Sequence, residues 1–316
     1  RPAQDRMTLA ALRTDGKRAL AAALAGLERD PDSEASQALL DAAWREPRAH
    51  VVGVTGPPGV GKSSLCAALV AAWRRAGRTV GVIAVDPSSR TSGGALLGDR
   101  VRIVHDGADA GSFVRSMAAR DRLGGLADQT VAAMVVMRAL FDRVLIETVG
   151  VGQSETDVAG VADTVVFCVQ PGSGDSLQFM KAGIVEIPHL VVVTKADMGA
   201  TAERARADVA GALSLATAGD AGDWPVKALA VSSRTGAGMD GLVAALEAHR
   251  QHLSHGGRLA VARHRQSEGW VVQSLRDRFG RDGIARLGRL GLDLTLAPGG
   301  QPFQRLRELG VALERP

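Results

Sequence analysis

Hydrophobic positions in this chain fall into two alternating patterns. Short apolar, largely β-branched runs recur at 51–55 (VVGVT), 79–86 (TVGVIAVD), 143–148 (RVLIET), 164–169 (TVVFCV), 190–197 (LVVVTKAD) and 225–233 (PVKALAVSS). Most are apolar at successive rather than alternate positions, as in strands buried on both faces of a parallel sheet. Runs at 101–105 and 112–117 are shorter strand candidates. Between the strands, apolar residues recur at helical spacing. In 64–75, Leu65, Leu69, Ala72 and Trp73 share one face, and Gly77 is placed to cap the helix. Residues 128–140 read as an apolar helix in which Met134 and Met137 fill the core. Residues 177–185 and 241–252 read as further helices. Ala- and Leu-rich segments at 8–28 and 33–46, parted by Asp30-Pro31, predict two helices before the first strand. Segments at 270–279 and 302–313 predict helices after the last, with Trp270 and Leu275 marking a packing face suited to dimerisation. Strands alternating with helices predict an α/β fold: a mostly parallel sheet with helices on both faces and ligands at the carboxyl ends of its strands. The expected organisation is an N-terminal helical extension (1–48), a nucleotide domain (49–255) and a C-terminal helical region (256–316).

Residues 56–63 read GPPGVGKS between a predicted strand and a predicted helix, which is the context of the P-loop G-x-x-x-x-G-K-[ST]. Gly56, Pro57, Pro58, Gly59, Val60, Gly61, Lys62, Ser63 and Ser64 are therefore the expected phosphate cradle. Glycines let consecutive N–H groups turn inward, and the helix N-terminus adds its partial positive charge. Lys62 is expected at the β- and γ-phosphates and Ser63 on Mg²⁺. Asp86 ends one strand and Glu147 ends another. With Mg²⁺ keeping several waters in its shell, Ser63 is the expected direct ligand, and Asp86 and Glu147 act through water. Gly150 follows Glu147 in ETVG, the pattern whose glycine N–H meets the γ-phosphate in P-loop GTPases. Gln153 is displaced from the usual water-positioning place. Arg90, in a long polar loop, could approach phosphate; a solvated side chain is the competing reading, as a turn residue is for Asp86.

The second strong signal is TKAD at 194–197, the guanine-reading [N/T]-K-x-D motif. Asp197 can accept from guanine N1–H and N2–H, where adenine offers an acceptor and no amine, and the Lys195 stem can lie along the base. The usual first residue is Asn, so Thr194 puts one contact in question. Ser232, Ser233 and Arg234 can cover the guanine O6 with backbone N–H groups. His249, His252 and His255 fan over about 120° of a helix, too wide for one metal site, and read as solvated.

Composition narrows the class. In 316 residues, hydrophobic content of 46% and charged content of 23% describe a soluble globular protein of one or two domains. No apolar run approaches the roughly 20 residues of a membrane helix. Net charge is a mild +4 and aromatics are 3%, without a basic stripe, so neither nucleic acid nor a membrane is an expected partner. Cys66 and Cys168 lie in apolar segments and read as buried thiols in a reducing compartment. The cytoplasm of a bacterium is the expected location; a chain beginning at Arg1 also leaves room for a removed mitochondrial targeting segment. Only five of the 38 basic residues are lysines: Lys17, Lys62, Lys181, Lys195 and Lys227. A compact charge on a flexible stem is then of interest where it persists, and Lys181, beside Asp175 and Gln178 after a glycine loop, becomes a catalytic candidate. An ordinary helix start at Asp175 competes with that reading.

With the P-loop, the stretches DPSSRTSGGALLGDR, IETVGVGQSE, GSGDSLQFMKAG and TKAD resemble the MeaB/ArgK family of GTPases. The resemblance implies a P-loop NTPase fold with helical extensions and GTP/GDP and Mg²⁺ as ligands. It also implies chaperoning of an adenosylcobalamin-dependent acyl-CoA mutase, notably methylmalonyl-CoA mutase, with an adenosyltransferase as a further partner. In that family, segments corresponding to 86–99, 147–155 and 172–181 act as switches, the mutase accelerates a slow GTPase, and the C-terminal helices serve dimerisation. A nickel-insertion GTPase is an alternative that should carry a His-rich tract or Cys/His pair. A P-loop kinase is another, and it should prefer ATP.

Overall fold

The computed structural model describes residues 7–87, 109–119, 128–150, 157–172, 187–216 and 224–314. Its centre is a seven-stranded sheet formed by β1 (His50–Thr55), β2 (Val80–Pro87), β3 (Ser112–Ala119), β4 (Arg143–Glu147), β5 (Thr164–Val169), β6 (Leu190–Val193) and β7 (Lys227–Ala230). The order is β3-β2-β4-β1-β5-β6-β7. Every adjacent pair is parallel. Parallel neighbours require crossovers, and the crossovers cover both faces. This is the fold the alternating pattern predicts. The predicted strand at 101–105 and helix at 177–185 lie outside the described residues.

Side chains alternate between the two faces of the sheet, which pack against three apolar clusters, one of them joining Phe167, Val169, Val191 and Val193 to the helix Ala200–Ala216. Val51, Ile83, Ile146 and Val165 face a core shared with helices α1 (Leu9–Arg29), α2 (Glu34–Arg45) and α4 (Asp128–Leu140). Met134 and Met137 are buried there. Val52, Val54, Val82, Leu145 and Val166 face α3 (Lys62–Arg75) and the helix Met239–Ser254. Because both faces are covered, β1, β5 and β6 are buried at every position, which is why they read as unbroken apolar runs.

Local chemistry sets the helix ends. Thr8 and Ser33 cap α1 and α2 through their hydroxyls. Gly77 takes φ 72° behind α3 and donates its N–H to Arg74. The start of α3 falls two residues earlier than the hydrophobic period predicts, at Lys62, because Gly61 at φ 103° is its N-cap.

The C-terminal helices pack back onto this body. Helix Arg258–Arg289 breaks at Gly280 (φ 69°) and is joined by helix Pro302–Glu314. Val271, Leu275, Leu287, Leu306, Leu309 and Leu313 form their shared core. The face expected to serve dimerisation is thus used within the chain: Leu275 is fully buried. Trp270 lies 4.9 Å from the Phe303 ring and donates to Asp128 Oδ1 at 3.1 Å. Arg263 clamps the long helix to the sheet, donating to Asp163 Oδ1 and Oδ2 at 2.8 and 2.7 Å and to the Ala49 carbonyl at 2.9 Å. Asp163 also accepts from Val51 N–H at 2.8 Å.

The histidine reading is corrected here. His255 is exposed, but His249 is 1% exposed. It hydrogen-bonds Thr164 Oγ1 at 2.7 Å and stacks near His189 (4.3 Å) and Trp224 (4.6 Å). Its partners come from β5 and from the segments leading into β6 and β7, so spacing along one helix could not reveal them. His50 reaches the same Thr164 hydroxyl at 2.6 Å. Burial pushes His249 down to about 3 and His50 and His189 down to about 4.

Candidate nucleotide-binding site

β1 delivers the chain to the loop at the carboxyl edge of the sheet. Gly56, Gly59 and Gly61 take φ values of 132°, 75° and 103°, a region that side chains rarely enter. At Gly56 a Cβ would also run into the Cys168 carbonyl oxygen, so the loop lies directly on β5. Lys62 is buried, and its ammonium folds back to donate to the carbonyls of Gly56 (2.8 Å) and Pro57 (3.0 Å). Pro58, Gly59 and Ser64 are exposed along the outer side of the loop, while Val60 is buried.

The register of β4 on β1 sets Glu147 beside Val54. From there the carboxylate reaches the start of α3, where the Ser63 hydroxyl donates to Glu147 Oε1 at 2.6 Å. Beneath them, Thr148 and Thr55 are joined hydroxyl to hydroxyl at 2.9 Å. Gly150 (φ 82°) lies hard against the loop; a Cβ there would meet the Gly56 carbonyl oxygen and Lys62 Nζ. Loop, strand-end acid and following glycine therefore form one contiguous surface. Asp86 is the next-to-last residue of β2, with its backbone paired to Ala118. Its side chain lies outside the described residues, as do Arg90, Gln153, Asp175, Gln178 and Lys181.

A second group sits where β6 and β7 end. Lys195 is the single non-glycine residue with positive φ (55°) among the described residues, a strained backbone of the kind found at ligand sites. Its ammonium donates to Gln170 Oε1 at 2.7 Å. Asp197 Oδ1 accepts from the Ser232 hydroxyl at 2.5 Å, and Oδ2 accepts from Arg234 at 2.6 and 3.1 Å. The Ser232 hydroxyl, and after it the guanidinium, hold Asp197 down at about 2. The expectation for Ser232 changes in one respect. Its N–H is bonded to the Ala237 carbonyl at 2.8 Å, so coverage of a base oxygen falls to Ser233 and Arg234. Thr194 keeps the tie that its departure from Asn put in question: its buried hydroxyl donates to the Val60 carbonyl at 2.7 Å, joining the TKAD strand to the phosphate loop. Sequence reasoning missed Gln170, whose one signal was its place just after β5.

The donor set suits Mg²⁺. Ser63 and Glu147 bring a hydroxyl and a carboxylate oxygen together at 2.6 Å, and hard oxygens are what that ion takes.

A parallel sheet with a glycine loop at its switch point and a TKAD strand end defines the class: a P-loop GTPase. The profile of the family described as methylmalonyl Co-A mutase-associated GTPase MeaB matches residues 19–285. The chain belongs to that family and is a GTP hydrolase. A Pyrococcus horikoshii protein assigned to the GTPases is 44% identical over 222 residues, covering 70% of each chain. The mouse methylmalonic aciduria type A homolog, mitochondrial, is 35% identical over 266 residues, covering 80% of this chain and 64% of that one. Among solved structures, one described as an LAO/AO transport system kinase superposes with a TM-score of 0.68 at 28% identity, covering 98% of this chain and 97% of that one.

Proposed function

We propose that the chain is a GTP-driven chaperone that gates cofactor loading and protection of an adenosylcobalamin-dependent acyl-CoA mutase. The observation that carries this reading is the family match, whose own description names association with methylmalonyl Co-A mutase. A homodimer working in the bacterial cytoplasm, with an adenosyltransferase as a further contact, completes the proposal. Among the described residues no helix is long and apolar enough to cross a membrane.

The proposed sequence of events is the following. GTP enters along the loop, and Lys62 exchanges its two carbonyl acceptors for β- and γ-phosphate oxygens. Asp197 reads the guanine edge, and the Lys195 stem lies along the base. The Gly150 N–H meets the γ-phosphate, so the segment beginning there responds to hydrolysis. Ser63 would hold Mg²⁺ directly, with Glu147 and Asp86 acting through water. When bound, that ion offsets charge on the β- and γ-phosphates. In this reading Lys62 alone does not supply enough charge at the transition state, and turnover is slow until the mutase docks. Docking then orders 172–181 and brings Lys181 toward the phosphates, directly or through another switch.

The test is a mutase titration against GTP hydrolysis. Lys181→Ala is expected to bind GTP normally and lose most of the stimulated rate. Stimulation equal to wild type would move the activating group to Arg90 or to the partner. No complex and no stimulation with any cobalamin mutase would overturn the chaperone reading. The structural relative carries a kinase name, while the TKAD motif favours guanine in this reading; equal affinity for ATP and GTP would favour the kinase.

A further inference from the structure

At the guanine-reading strand end, the contact between Lys195 and Gln170 reaches outside the nucleotide motifs. Lys195 is exposed, and its backbone is fixed on both sides. Thr194 N–H donates to the Val169 carbonyl, Ala196 N–H to the Val231 carbonyl and Met198 N–H to the Lys195 carbonyl, each at 2.9 Å. The left-handed φ of 55° then sets the direction in which the side chain leaves. Backbone bonds do not fix the flexible carbon stem or the ammonium at its end. That ammonium donates to Gln170 Oε1 at 2.7 Å.

The sheet puts Gln170 within reach. β5 and β6 are parallel neighbours with Val169 opposite Val193, so the residue after β5 emerges next to the TKAD turn. Gln170 is half-buried between two buried chain neighbours, Val169 and Pro171. On the other side of the turn, Asp197 is held by Ser232 and Arg234, which follow β7. Both polar side chains of the motif that face a base are thus held from a neighbouring strand end.

We propose that Gln170 is a positioning residue for guanine nucleotides: by holding the Lys195 ammonium, it lays out the lysine stem as a ready platform for the face of the base. The proposal deepens the base-site reading above and rests on it. A stem held before the nucleotide arrives loses less conformational freedom on binding, so the contact raises affinity. Stem-to-ring contact does not depend on the groups at the base edge, so the choice between purines stays with Asp197. The base takes no part in the reaction, so the loss falls on KM and not on kcat.

The probe is fluorescently labelled GDP titrated into the full chain, with GDP and IDP as competitors, beside KM and kcat for GTP. Gln170→Leu is expected to weaken GDP by about 5- to 20-fold, toward the lower end for losing a hydrogen bond to a charged group because this one is exposed. IDP, which lacks the exocyclic amine, is expected to weaken by the same factor, and kcat to hold. Gln170→Glu keeps an acceptor for the ammonium and is expected to bind as wild type does. Lys195→Met keeps an apolar stem without the ammonium; it is expected to match Gln170→Leu, and the double variant to be no weaker than either. Should Gln170→Leu fail to fold, Gln170→Ala takes its place in the cycle. Wild-type affinity in Gln170→Leu, additive losses in the double variant, or Gln170→Glu as weak as Gln170→Leu would overturn the proposal and leave the base site standing. Wild-type affinity in both Lys195→Met and Asp197→Asn would overturn the base-site reading, and the proposal with it.

Discussion

Asp197, proposed to read guanine, has both carboxylate oxygens already engaged, one by Ser232 and one by Arg234. Those donors keep it ionised across the working pH range, so base recognition is expected not to titrate between pH 5 and 8. Asp197→Asn replaces an acceptor with a donor. GTP affinity is expected to fall by about 100-fold or more, the scale of discrimination at sites built on paired hydrogen bonds, while xanthine triphosphate gains. Competition against a fluorescent guanine nucleotide reads both changes. Affinity unchanged in the variant would remove Asp197 from the base site. Titration matters instead at the far end of the sheet. His50, His189 and His249 have folded pKa values below the usual histidine value because burial disfavours the cation. The unfolded chain therefore binds more protons as pH falls from about 6.5 toward 4, and stability is lost through that window. Each histidine contributes about 1.4 kcal/mol per pH unit while the difference lasts. Asp163 and Arg263 remain paired beside them. Urea midpoints at pH 7.5, 6 and 5 should fall in that order; a flat profile would mean the histidines charge without cost. Single residues also mark the limit of what sequence reveals. TKAD was legible, but the role of Thr194 was not, because its acceptor at Val60 lies 134 positions away.

At the scale of elements, the loop, α3 and the end of β4 act as one piece. Gly150→Ala places a methyl against the Gly56 carbonyl and Lys62 Nζ on a backbone at φ 82°. That strain is expected to cost about 1–3 kcal/mol and, by displacing Lys62, to reduce GTP hydrolysis by about 100-fold. A hydrolysis assay paired with urea unfolding tests both; full activity would exclude the close approach. The strands were readable because burial on both faces leaves an unbroken apolar run. Helix α4 was readable from its length and apolar content. Boundaries set by left-handed glycines, such as Gly61 before Lys62, were less so. The contact of Ser63 with Glu147 was invisible, because it depends on the register of β4 against β1 rather than on spacing along the chain.

For the molecule as a whole, the C-terminal helices behave as part of the body. Leu275→Ala opens a hole in their shared core and is expected to cost about 2–5 kcal/mol in urea unfolding. The face carrying Leu275 and Trp270 was legible as apolar but not as intramolecular, because its covering residues arrive some thirty positions later, at Phe303, Leu306 and Leu309. The Arg263 clamp has one more consequence. Asp163 is 5% exposed at the foot of the strand that carries the phosphate loop, and its cation comes from beyond residue 257. A chain cut after Gly257 would hold every nucleotide motif and leave Asp163, beneath β1, without its guanidinium partner. Stranding one member of such a pair costs about 3–5 kcal/mol, a large part of the roughly 5–15 kcal/mol that stabilises a domain. The GTPase core is therefore expected not to survive trimming by protease as a free-standing fragment: what looks like an appendage on a sequence diagram is the counterweight that keeps the nucleotide end upright.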